Sequence, residues 1–197
     1  WYGFNAGSEL HVDHITALAF LNTDIAGSVA AVTWLIIAWA TEKKPKFIGL
    51  LTGAVAGLAA VTPAAGYISM TSAVIIGVSA SCVCYLAILW KNSKGLDDAL
   101  DVWGVHGVGG VLGVICTGLF ASLAWNPGGA NGLLMGGGSK FFLVETASVL
   151  LAAVYSFGFS YAALWLINKV TPVKVSEEEE EAGLDESLHG ENAYEMI

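Results

Sequence analysis

The sequence predicts an all-α protein that crosses a membrane several times, and three observations carry that reading. Of 197 residues, 55% are hydrophobic and only 13% charged, with a mean hydropathy of +0.66; a soluble domain of ordinary make-up is less apolar. Long apolar runs alternate with short polar turns, and about 20 apolar residues suffice to cross a hydrocarbon core about 30 Å thick. The lysines crowd into alternate turns, which gives the chain an orientation.

Residues 1–8, WYGFNAGS, read as the outer end of a helix, and residues 9–13 as a polar turn. A span follows over residues 14–40, closed by the charged turn TEKKPK, where Pro45 stops the helix. Residues 47–62 form a third span. Gly49, Gly53 and Gly57 recur in it every four residues, so one edge is bare backbone that a neighbour can approach closely. TPAAGYISM is a turn marked by Pro63 and Gly66, and residues 71–90 are a fourth span. The polar loop KNSKGLDD leads into the stretch around which the chain is organised, residues 97–121, DDALDVWGVHGVGGVLGVICTGLFA. A glycine-rich loop over residues 125–138, a last span over 140–168 and a polar tail over 169–197 complete the chain.

In the central stretch, an ideal helix puts His106 about 12 Å beyond Asp98. It also gathers His106, Gly109, Gly110, Gly113 and Thr117 on one face, with Gly109 and Gly113 as a GxxxG pair. An ionisable ring deep in lipid faces the protein interior or a pore. Read bottom-up, it is either a histidine hydrogen-bonded within a helix bundle or a group that moves a proton. Asp97 or Asp98 would cap this helix by accepting its free N–H groups.

Lys43, Lys44, Lys46, Lys91, Lys94, Lys169 and Lys174 lie in one set of loops and only Lys140 in the other, so the first set, with the tail, is expected in the cytoplasm. The net charge of −9 describes the tail: seven of the 17 acids fall in residues 177–186, and Glu191 and Glu195 follow. There is no arginine and no basic stripe, which argues against nucleic acid. Cys82, Cys84 and Cys116 lack metal-ligand spacing and read as small core residues. No metal or cofactor is expected. Asp24, inside the second span, should meet a polar neighbour such as Asn22 or Thr23, or join a relay; Glu145 is read likewise. His11 and His14 flank the outer turn as solvated groups. Beginning at Trp1 without methionine or signal peptide, the chain is expected to be part of a longer protein.

The central string DDALDVWGVHGVGGVLG…TGLFA resembles the tenth membrane helix of the Amt/Mep ammonium transporters. WYGFNAGS resembles the end of the family's sixth helix, and GLD…HGENAY its cytoplasmic C-terminus. The Rh branch differs around the histidine and lacks this tail. The resemblance covers essentially the whole chain and implies the second half of an eleven-helix fold, in which two five-helix halves of inverted topology are followed by a final helix. It implies a membrane domain over residues 1–168 and a cytoplasmic regulatory tail over 169–197.

On this resemblance the chain would carry ammonium or ammonia across the cell membrane as a transporter, not an enzyme. His106 would be one of two pore-lining histidines, Phe4 one of two stacked rings gating the outer pore, and Ser8 an acceptor for ammonium at an outer recruitment site. Trp1 would pack beside the histidine pair. Without the resemblance, Trp1, Tyr2 and Phe4 read as an interfacial aromatic belt. Asp98 and Asp101 match the family's acids at the inner helix end, as caps. The family also implies a homotrimer surrounded by lipid, with PII signalling proteins docking at the cytoplasmic face and His189 in the docking segment. The rival functions are an ammonium sensor of the same family and a generic proton-coupled carrier.

Overall fold

The computed structural model describes residues 1–192; Tyr194, which closes the tail segment expected to dock, lies outside them, as does Glu195. All described regular structure is helical: α1 Tyr2–Gly7, α2 His14–Glu42, α3 Phe47–Val61, α4 Met70–Ser93, a π-helical turn Trp103–Gly107 running into α5 Val108–Phe120, α6 Ser139–Ile167 and α7 Glu177–Ala182. Four stretches are long and apolar enough to cross a membrane: α2, α4, the π turn with α5, and α6. The 15 residues of α3 rise only about 22 Å, and a run of turns follows over residues 62–67.

Each helix begins and ends for a local reason. Asp13 caps α2 by accepting from the Ile15 and Thr16 amides, while Thr16 reaches back to the Asp13 N–H. The Thr16 amide first, then Ile15, His14 and the Thr16 hydroxyl, hold the Asp13 carboxyl below the usual carboxylate range. α2 runs past Ala40 to Glu42 and ends because Lys43 turns left-handed at φ 62, two residues before Pro45. Glu42 pairs with Lys46 across that turn. Ser69 caps α4, which extends to Ser93 and so takes Lys91 out of the loop and into the helix, where it is buried.

The core lies between α2, α3, α4 and α5, and α1 rests against α2. It is built of small residues, with Ala26, Ala60, Ala64, Ala73 and Ala80 among those fully buried. The glycine edge of α3 is used as expected. A Cβ at Gly57 would strike the Ala26 carbonyl on α2, and one at Gly53 the Trp34 side chain. On α5, a Cβ at Gly113 would run into the Ala60 carbonyl of α3 and the Pro63 ring. Polar atoms between these helices find backbone partners: Ser81 donates to the Ala30 carbonyl at 2.6 Å, and the Asn22 amide donates to Ala65 and Ile68, each at 2.9 Å. Cys84 and Cys116 are buried as expected, but Cys82 faces outward, because it stands two residues from Cys84 on the opposite side of α4.

The chain divides into two compact units, Trp1–Leu150 and Leu151–Ile197. In the second, Tyr155 stacks on Phe159 and Phe157 on Tyr161 along α6, and Lys169 lies 4.2 Å from the Trp165 ring. The acidic run forms α7 behind a Ser176–Glu179 capping box. Four glutamates in its first turn sit where the helix dipole favours negative charge.

Gly113→Ala is expected to lower the unfolding midpoint of the detergent-solubilised protein, by about 1–3 kcal/mol of overpacking. At an open helical site the same change would stabilise, so the sign decides whether the α3–α5 contact is as close as described. The Asp13 cap, depressed in the fold, stabilises above the ordinary Asp value of about 3.9. That contribution is lost as pH falls through the lower folded value. The protection factors of the Ile15 and Thr16 amides, their exchange rates divided into the intrinsic rates at each pH, should therefore stay flat from neutral pH to about 4 and fall below it; Asp13→Ala should remove the dependence.

Candidate functional site

Two aromatic side chains at the start of the chain and an imidazole a hundred residues on meet at one concavity of about 510 Å³, lined by Trp1, Phe4, Ala59, Thr62 and His106. The Trp1 indole N–H donates to the Thr62 hydroxyl at 2.8 Å, and that hydroxyl donates to the Leu58 carbonyl at 2.7 Å. The chain of bonds pins the indole plane to the end of α3. The His106 imidazole lies parallel to it, with ring centroids 6.0 Å apart and planes at 17°. Phe4 stands edge-on to the same indole at 6.1 Å and 80°. Neither ring nitrogen of His106 has a hydrogen-bond partner among the described residues, and the ring is exposed to the concavity. Thr62 was not singled out from the sequence; the only signal was a hydroxyl closing an apolar run just before Pro63.

His106 is not on the face expected for it. The helix starts at Val102, not at Asp97, because Asp101 adopts a left-handed conformation at φ 55 and breaks it. His106 thus lies four residues from the start, a rise of about 6 Å instead of 12 Å. The π turn then inserts extra chain before α5 begins. Gly109, Gly113 and Thr117 are buried toward α3 and α4 while His106 turns away to Trp1. The predicted face is thus split: Gly110, like His106, is not buried, and a Cβ there would meet nothing within 4 Å.

Asp98 accepts from the Val102 and Trp103 amides, both at 2.9 Å, and so caps the helix start. Asp101 takes the Lys91 ammonium instead, at 2.7 Å, and the same ammonium donates to the Asp98 carbonyl. The Lys91 side chain is only 5% exposed, so this is a dry cation held by two oxygens at the foot of the helix. Its sequence signal was weak: a lysine beside Trp90, read as part of a loop.

Ser8 lies one turn beyond Phe4, and its hydroxyl donates to the Phe4 carbonyl at 2.6 Å. That geometry leaves the oxygen lone pairs free to accept. Asp24 meets neither Asn22 nor Thr23. It accepts from the Tyr2 hydroxyl at 2.6 Å, because Asn22 turns inward to the α3–α4 turn and Thr23 takes the Asn5 amide. Glu145 lines a second concavity with Thr117 and Tyr67. His11 and His14 are exposed, and His189 lies in a π turn over Asp185–His189.

A sequence model of the Ammonium Transporter Family matches residues 1–194. The chain is 41% identical over 197 residues to an ammonium transporter of Bacillus subtilis (strain 168), covering 98% of this chain and 48% of that protein. It is 43% identical to an ammonium transporter of Aquifex aeolicus (strain VF5), covering 100% of this chain and 46% of that one. Among solved structures it is similar to Candida albicans Mep2, with 32% identity and a TM-score of 0.81 over 91% of this chain and 41% of that chain. It is also similar to a structure titled Sensor Amt Protein, with 34% identity and a TM-score of 0.82 over 94% of this chain and 45% of that one. The chain thus spans about half the length of the curated relatives it matches.

Asp101→Asn should destabilise the protein by about 2–3 kcal/mol, because the buried Lys91 ammonium loses its counter-charge while Asp101 itself is partly solvated. The double change Lys91→Met with Asp101→Asn should cost less than the single one, because Asn keeps the left-handed backbone and no buried cation is left unpaired. Chemical unfolding in detergent measures both.

Proposed function

The chain belongs to the ammonium transporter family, and we propose that it builds one wall of a membrane pore through which ammonia passes while its proton is handled by His106. The observation that carries this is the His106 ring, held flat against Trp1 with both nitrogens unpartnered and turned into an apolar concavity. Hydrated ammonium is costly to move bare through hydrocarbon, by roughly 3 to over 10 kcal/mol for comparable charged groups. A neutral imidazole can take the proton and let uncharged ammonia cross the apolar stretch. Such a ring needs a partner to pass the proton on, and that partner would come from helices outside this chain. Trp1 acts as the positioning residue: its bond to Thr62 fixes the plane on which the imidazole lies.

Phe4 and Ser8 would serve the outer mouth. An aromatic face attracts a cation, and the free lone pairs of Ser8 can replace a lost water. Asp98 and Asp101 are read as structural groups at the inner end, one capping the helix and one neutralising Lys91. The lysine bias supports a cell-membrane protein whose tail, residues 169–197, is cytoplasmic, with the membrane domain over residues 1–168. A homotrimer in lipid and a PII-type partner at the cytoplasmic face are part of the same reading. A sensor function is the second reading, favoured by the likeness to the Sensor Amt Protein structure.

Methylammonium uptake by the whole protein in cells tests this. His106→Ala should cut uptake about a hundredfold or more, in keeping with the 10²–10⁴ contributed by positioned acid–base groups. His106→Asp should keep a protonatable group but alter ion selectivity. Unchanged uptake and selectivity in both variants would end the relay assignment. No uptake by the parent, with nitrogen signalling intact, would favour the sensor.

A further inference from the structure

The second span carries one ionisable group that the pore reading does not use. Asp24 lies ten residues into α2, about 15 Å along the helix from its outer start, at a depth where a carboxylate is costly unless a donor meets it. Its donor is the Tyr2 hydroxyl of α1, at 2.6 Å, within the roughly 2.5–2.7 Å of a charge-assisted O–H···O bond. Phe20 stands one turn before Asp24 on the same side of α2. It stacks on the Tyr2 ring, with centroids 4.4 Å apart and planes at 19°. α2 thus holds Tyr2 twice, by its ring and by its hydroxyl. Nearby, the Asn5 amide donates to Thr23 at 2.9 Å, and Ala6 is buried.

Tyr2 and Asn5 are three residues apart, and so are Trp1 and Phe4. Each pair shares a side of the helix, and the two sides are about 100° apart. The Tyr2 side meets α2, and the Trp1 side meets His106 and Thr62. Among the described helices the backbone of α1 approaches α2 alone. A turn of α1 about its axis that broke the Tyr2 bond would carry the Trp1 and Phe4 rings with it. Among the described residues Asp24 bonds to Tyr2 only, so no hydrogen-bonded path leads from its carboxyl to His106.

We propose that Asp24 is a positioning residue of the pore wall. Through Tyr2 it fixes the rotation of α1, and through α1 it sets the planes that Trp1 and Phe4 present to His106. The inference rests on the transport reading above and adds to it a residue that does not line the concavity. The Trp1–Thr62 bond holds the indole from one side, and the Tyr2–Asp24 bond holds its helix from the other. A carboxylate suits this task. In a medium of low dielectric, losing its donor leaves a bare charge, which costs far more than leaving a hydroxyl unpaired.

The test uses the whole protein in lipid, with fluorotryptophan in place of tryptophan and the Trp1 fluorine resonance identified by its loss in Trp1→Phe. Asp24→Leu should move or split that resonance by more than its linewidth. Asp24→Asn keeps an acceptor oxygen for the Tyr2 hydroxyl and should leave it in place. In vesicles, with radiolabelled methylammonium as the probe, Asp24→Leu should lower the maximal uptake rate per folded protein roughly three- to tenfold, less than the 10²-fold that a misplacement of about 1 Å can cost. Asp24→Asn should stay near the parent. The double change Tyr2→Phe with Asp24→Leu leaves neither group without a partner. It should unfold at the parent's midpoint, yet remain slow and keep the shifted resonance. A double variant restored in both midpoint and rate would overturn the proposal, since the bond would then be structural only. A Trp1 resonance unmoved by Asp24→Leu would overturn it too. If Asp24→Leu does not accumulate, the double change decides by the same two measures. No uptake by the parent, with the Trp1 resonance still moved by Asp24→Leu, would overturn the transport reading alone and leave Asp24 setting the indole.

Discussion

The structure depends on backbones meeting backbones. Lipid is as apolar as leucine, so helices in it gain little by hiding apolar side chains and are held by close van der Waals contact. Here that contact runs through Gly53, Gly57 and Gly113, where an added Cβ would strike Trp34, Ala26, Ala30 or Ala60 on the facing helix. The seam joins α2 to α3 and α3 to α5. It sets how near α5 stands to the end of α3, and therefore where His106 stands relative to Thr62 and the indole bound to it.

The polar groups inside this seam obey the same constraint in another form. Water does not reach them, so each needs an internal partner. Thr23, Thr33, Thr62 and Thr117 donate back to the preceding turn of their own helix, and Asn22 and Ser81 bond across helices. Asn22 Oδ1 alone among the described buried side-chain atoms has no partner. Tyr85 ties the inner ends of α2 and α4, lying 2.9 Å from the Thr41 hydroxyl and donating to Glu42. The concavity differs from this interior: its imidazole nitrogens have no partner among the described residues, next to an indole whose single donor is taken.

At the foot of α5, three features act together. The left-handed Asp101 ends the loop, Asp98 covers the free amides, and Lys91 ties both to α4. The π turn then delivers His106 sideways. The loop and the π turn lead directly into His106, whose ring lies parallel to the indole.

Much of this was legible in the residues. The apolar runs and their breaks predicted helices that the structure places within a few residues, since an apolar stretch bounded by Pro, Gly or charge has few other solutions in lipid. The GxxxG spacing on residues 49–57 and the pair Gly109 and Gly113 predicted close contact for the same reason. Fold class followed from the apolar runs and lysine placement along the whole chain, and the prominence of His106 from the central string. What the string could not carry was anything set by residues far apart. The split of the predicted face, Gly109, Gly113 and Thr117 inward and His106 and Gly110 not, was not legible because a π turn has no periodic signature. Lys91 read as a loop residue because its counter-ion is ten positions on, and Asp24 was assigned to sequence neighbours when its partner is Tyr2. Local propensity and hydrophobic period determine which segments are helices. Pairings between a hydroxyl, an indole, an ammonium and a carboxylate exist only once those helices are packed, so only the tertiary structure decided them.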